Sequence, residues 1–172
     1  IETVHAPLYL SIDELLEKRG NEFDIVYITR YYVANHVIPS IRNHAPNVKI
    51  LFNNCDLHFL RELRIALRNK SPEAMQHAIK VRDEELSIMR QVDVVLSYNE
   101  VEHAVITSHN LDSTKVVKCP WVVETCDPSR IPGFETRVGF AFLGGYGHPP
   151  NVEAVEFFVR EVMPLLRKRL PC

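Results

Sequence analysis

The sequence is short of several things, and each shortage closes off a class of function. It has no basic excess: 20 Lys and Arg face 22 Asp and Glu, for a net charge of −2. General nucleic-acid binding needs such an excess to neutralise phosphates, so no nucleic-acid partner is expected. No apolar run approaches the ~20 residues of a membrane span. The opening "IETVHAPLYL" lacks the basic stretch and apolar run of a secretory leader. None of the four cysteines stands in a C-x-x-C pair, and no Cys/His group has zinc-finger spacing, so no metal is expected. Cys55 and Cys119 close apolar runs, where a free thiol behaves as a small hydrophobe. The expectation is a reduced, cytoplasmic chain with buried thiols. The first residue is not Met, and the chain is expected to be a piece of a longer protein.

What is present is a steady alternation of strand and helix over 172 residues, of which 46% are hydrophobic. Ser11 and Glu14 have capping-box spacing and open a helix that Gly20 ends. Strands are expected at 23–29, 47–56, 92–99 and 114–124. The run Val48, Ile50, Leu51, Phe52 is nearly continuous, as in parallel sheets covered on both faces. Helices fill the gaps: one carries Pro39, and one starts at Leu57 and buries Leu60, Leu63 and Leu67. A long one is capped by Ser71 with Pro72 at its first position and carries the stripe Met75, Ala78, Ile79, Leu86, Met89. A short one covers 100–109. The pattern predicts an α/β fold, a Rossmann-like, mostly parallel sheet flanked by helices. Residues 1–124 form the larger part and 125–136, with two prolines and a glycine, a linker. Residues 137–172 hold one strand and one helix, with Val152, Val155, Phe158, Val159 and Val162 facing inward. That is too little to close a core alone.

The stretch "FLGGYGHPPN" stands where the last strand meets the last helix, the usual place for a ligand in α/β sheets. Gly144 and Gly145 would let backbone N–H groups approach a ligand and permit φ > 0. Asn151 is the expected N-cap, at a helix end that favours an anion. The spacing matches neither a P-loop nor G-x-G-x-x-G. A tight turn stiffened by Pro149 and Pro150 explains the same residues.

The segment "FAFLGGYGHPPNVEAVEFFVREVMPLLRKRLP" closely resembles the start of the C-terminal domain in bacterial retaining glycosyltransferases of the GT-B fold, family 4 or group 1 type. "FNNCDLHFLRELR", "ELSIMRQVDVVLSYNEVEHAVI" and "VVKCPWVVE" resemble successive segments of the N-terminal domain in those enzymes. The resemblance runs from about Phe23 to Pro171. It implies a partial GT-B architecture and transfer of a sugar from a nucleotide-sugar, bound between two domains, to a glycan or other acceptor with retention. No cofactor or metal is implied, since the nucleotide-sugar is itself the substrate. The family's first strand and Gly-rich loop would precede Ile1. Its donor-binding glutamate pair would follow Cys172, so the piece alone is expected to be inactive.

Asp56 and His58, at the end of a strand, are the catalytic candidates; Asp56 also suits the N-cap of the helix at Leu57, and the two roles are compatible. Arg61, Arg64 and Arg68 share a helix face, with Arg61 placed to reach a diphosphate. Ser97 and Glu100 match the family's Ser and Glu, yet Asn99 as N-cap with Glu100 and Glu102 in the first turn accounts for them structurally. Gly144, Gly145, His148 and Asn151 complete the substrate-binding candidates. Trp121 is expected to pack between domains or to stack on a ligand. The run Arg167, Lys168, Arg169 raises peripheral contact with the inner face of a membrane. The orphan element 137–172 raises a homodimer formed by its exchange. A non-catalytic binding or assembly module is the rival reading. A sugar-nucleotide epimerase is a third and needs different carboxylates.

Overall fold

A computed structural model of the chain describes residues 2–127, 129 and 131–170. These fall into two compact units, Ile1–Val123 and Glu124–Cys172. The first holds strands β1 (Ile25–Thr29), β2 (Lys49–Asn53), β3 (Val94–Ser97) and β4 (Lys115–Lys118). Its helices are α1 (Ile12–Arg19), α2 (Tyr31–His44), α3 (His58–Asn69), α4 (Pro72–Met89) and α5 (Glu100–Ser108). All neighbouring strands are parallel, in the order β1-β2-β3-β4. The chain is therefore α/β with a parallel sheet flanked by helices, as its alternation predicts.

Local signals set the helix starts. Ser11 Oγ accepts from Glu14 N at 3.1 Å, Ser71 Oγ from Ala74 N at 3.1 Å, and Asn99 Oδ1 from Glu102 N at 2.9 Å. In α1 the return bond of the capping box goes from Leu10 N, not Ser11 N, to Glu14 at 2.8 Å. β4 stops at Lys118, well short of 124, where Pro120 removes a ladder donor.

Register puts Ile28, Phe52, Val95 and Val116 in one row. With Ile50 they meet Ile38 and Ile41 of α2, Phe59 of α3, Met89 of α4 and Ile106 of α5 in a single core. Each large side chain buried this way contributes about 1.5–3 kcal/mol. Crossovers of one hand, stepping repeatedly in one direction, return to the same side of the sheet. Tyr27, Leu51 and Val94 share the next row and point the other way, as do Leu96 and Val117. Ile25 and Tyr27 are exposed there and the rest half-buried. Among the described residues of this unit, β2 is thus covered on one face rather than both.

Two apolar stripes differ from expectation. Leu67 and Ile79 are exposed; α3 buries His58, Phe59 and Ala66, and α4 adds Val81, Glu85 and Ile88. The buried contact of His58 with Glu85, described below, lies between these two helices. The thiols differ too: Cys55 is half-buried, while Cys119 and Cys126 are exposed.

The second unit holds α6 (Pro149–Phe157), a π-helical turn (Phe158–Val162) and α7 (Met163–Arg169). Pro164 has no N–H to donate back along the helix, and the ladder slips: Met163 N donates to Phe158 O. The expected strand over 137–145 does not form. A strand needs a neighbour for its N–H and C=O groups, and no other strand lies among the described residues of this unit. The segment instead rests on the helix: Phe140 meets Phe158 edge-on at 5.3 Å, leaving Phe158 half-buried and Val159 exposed. Phe140, Phe142, Val155, Phe158 and Met163 line an apolar hollow of about 640 Å³. No helix among the described residues is long and apolar enough to cross a membrane.

Candidate functional site

The carboxyl edge of β2 gathers the polar residues. Asn53 Oδ1 accepts from Cys55 N at 2.9 Å, and Cys55 adopts φ +63°. This left-handed residue turns the chain sharply from strand to α3. It carries Asp56 to the sheet edge and sets the N-terminus of α3 against α4 and α5.

That N-terminus is capped from a distance. Asp56 does not cap it; Leu57 occupies the cap position and makes no side-chain cap bond. Glu85 of α4 accepts from His58 N at 3.1 Å and from Phe59 N at 2.9 Å. Glu102 of α5 accepts from Leu57 N at 3.3 Å. Glu85 is fully buried, an expensive place for a carboxylate unless donors surround it. Its third donor is the His58 ring, with Nδ1 3.0 Å from Glu85 Oε1. A nitrogen facing a carboxylate carries the proton, so Nε2 is the ring's other face. Nε2 lies 4.0 Å from Asp56 Oδ1. The bond to Glu85 raises the His58 pKa above 6.5 against the opposing effect of burial, and the Asp56 charge adds to the rise. Asp56 in turn holds Arg61 at 3.2 Å, and Arg61 also reaches Glu62 at 3.4 Å.

The result is a chain of groups, Glu85–His58–Asp56–Arg61, running from the core to a groove of about 370 Å³ between the starts of α3 and α5. Leu57, Leu60 and Val101 form its apolar wall; Asp56, Glu102, Arg61, Arg64 and Asn99 supply the polar groups. Two carboxylates and two guanidiniums sum to no net charge. The starts of both helices already face carboxylates, which quenches their pull on a further anion.

Asp56, His58 and Arg61 are therefore brought together, as the sequence suggests, but Arg61 is engaged by carboxylates. Ser97 is buried beneath the edge, its Oγ 2.8 Å from His103 Nδ1, and ties β3 to α5. Glu100 is exposed and pairs with Lys118. Neither lines the groove; Asn99 caps α5, with Glu100 and Glu102 in its first turn. Glu85, the residue that organises the site, escapes sequence reading. Its one signal is an acidic residue on the apolar side of α4, beside Leu86 and Met89.

In the second unit, Asn151 lies inside the first turn of α6, and His148 holds the cap position without a side-chain bond. Asn151 Nδ2 donates to Gly145 O at 2.9 Å. A side chain on Gly144 would meet Asn151 Nδ2 and the Phe142 ring, each at 2.8 Å. Neither Gly144 nor Gly145 has positive φ; the one described glycine that does is Gly139. The Asn151 amide and the Phe142 ring are the ends of side chains that can give way, so neither packing nor backbone conformation demands a glycine at 144. Among the described residues no group of three His, Cys, Asp or Glu is placed to hold a metal ion. Comparison with family models, curated proteins and solved structures finds no match.

Proposed function

We propose that the chain is the acceptor-side part of a retaining, nucleotide-sugar-dependent glycosyltransferase, and that the groove between α3 and α5 holds the acceptor. The observation that supports this reading is the groove's mixture of an apolar wall and charge that sums to zero. The Asp56–Arg61 pair presents acceptor oxygens beside donor N–H groups, which suits vicinal hydroxyls. Leu57, Leu60 and Val101 suit the apolar face of a sugar ring. A free diphosphate suits the groove less well, because Arg61 is already held by Asp56 and Glu62. Gly144, Gly145 and His148 are the donor-side candidates, and the basic end of α7 is the candidate for contact with an anionic membrane face.

The test is turnover of a panel of nucleotide-sugars by the full-length natural protein with glycan acceptors, read as nucleoside diphosphate released. D56N is expected to lower kcat/KM at least about tenfold, equivalent to about 1.4 kcal/mol of transition-state binding. An unchanged rate in D56N defeats the groove assignment, and a protein that consumes no nucleotide-sugar defeats the transferase reading. One observation favours the rival binding module: the Gly144–Asn151 corner is satisfied by its own contacts. Saturable glycan binding without turnover is the outcome that selects it.

A further inference from the structure

Beside the groove, on the other side of the β3 end, stands an aromatic surface that the proposed acceptor groove does not use. Tyr98 and Asn99 are consecutive: Asn99 lines the groove, and Tyr98 carries Trp121 on its ring, with centroids 5.0 Å apart and planes inclined by 22°. Trp121 is 77% exposed. One indole face is covered by Tyr98, and the side chain stays open to solvent. The support beneath it is fixed. Asn53, only 3% exposed, donates through Nδ2 to the hydroxyls of both Tyr27 and Tyr98. Both phenol oxygens thus act as acceptors, which keeps their O–H groups available as donors.

An open aromatic face next to phenol hydroxyls suits a ligand with an apolar ring face and an oxygen at its edge. We propose that Trp121, Tyr98 and Tyr27 form a pyranose-binding shelf, the indole stacking on ring C–H groups and the phenol donating to a sugar oxygen. This rests on the acceptor reading above and extends it: the acceptor would cross the β3 end, with one sugar in the groove and the next on the shelf.

Trp121 is the single tryptophan of the chain, so its fluorescence reports on this place alone. Titration of the 172-residue chain with methyl pyranosides and with a disaccharide is expected to give a saturable emission change. Tyr27→Phe with Tyr98→Phe should weaken the half-saturation concentration at least fivefold while keeping the stack. No saturable change with any of these sugars overturns the shelf. So does an equal response to uridine, which offers a base to the indole. Turnover by the full-length protein separates this idea from the parent reading. If W121A transfers sugar with unchanged kcat/KM, the shelf is wrong and the transferase reading stands. If the wild type binds pyranosides at Trp121 but transfers nothing, the shelf stands without the transferase.

Discussion

His58 shows how one side chain can link the stability of the fold to pH. Its pKa is raised in the folded protein, chiefly by the bond to buried Glu85. A raised folded pKa gives stability that is fully present below the unfolded value of 6.5 and is lost as pH rises through the folded value. Urea midpoints should therefore fall as pH increases above about 6.5, and H58Q should flatten that part of the profile. Glu85→Ala removes the partner of three donors at once. Leaving such groups buried and unpaired costs about 3 kcal/mol, measurable in the same urea experiment. An E85A protein within about 0.5 kcal/mol of wild type would mean that water replaces the carboxylate and that the dyad does not organise α3.

Elements in this molecule are placed by close approach as much as by apolar stripes. Gly20 follows α1, and a side chain there would come within 2.9 Å of the His44 carbonyl at the end of α2. That oxygen is backbone and cannot move cheaply, so G20A should push α1 off α2 and cost about 1–3 kcal/mol by thermal or urea unfolding. Much at this scale is legible in the sequence. Ser71-Pro72, Asn99 and the apolar runs at 25–29 and 49–53 announce their helices and strands because each acts through neighbours in the chain. What is not legible acts across the fold. The N-terminus of α3 takes its caps from Glu85 and Glu102, far along the chain, so Asp56 reads as a cap that it is not. Residues 137–145 have the pattern of a strand, but a ladder depends on a neighbour that a one-dimensional pattern does not specify. Asp56, His58 and Arg61 are readable as a polar cluster after a strand; their order of contact is not.

At the scale of the whole molecule, the first unit is a sheet with helices on one side. Parallel sheets ordinarily have both faces covered. Exposed Ile25 and Tyr27, on β1 at the sheet edge, lie on the side left open among the described residues. Such a surface drives association. Light scattering on the 172-residue chain should show concentration-dependent self-association, and I25K should reduce it while shifting stability by less than about 0.5 kcal/mol. A chain that stays monomeric at high concentration would count against this and against exchange of the 137–172 element. The strand order has one more consequence. Register joins Ile25 to Lys49, Leu51 to Val94 and Val94 to Lys115, so every strand finds its partner in the next one made. Among the described strands, none has to slot late between two that are already paired. During synthesis the sheet can lengthen one strand at a time behind the ribosome, each addition resting on a finished edge.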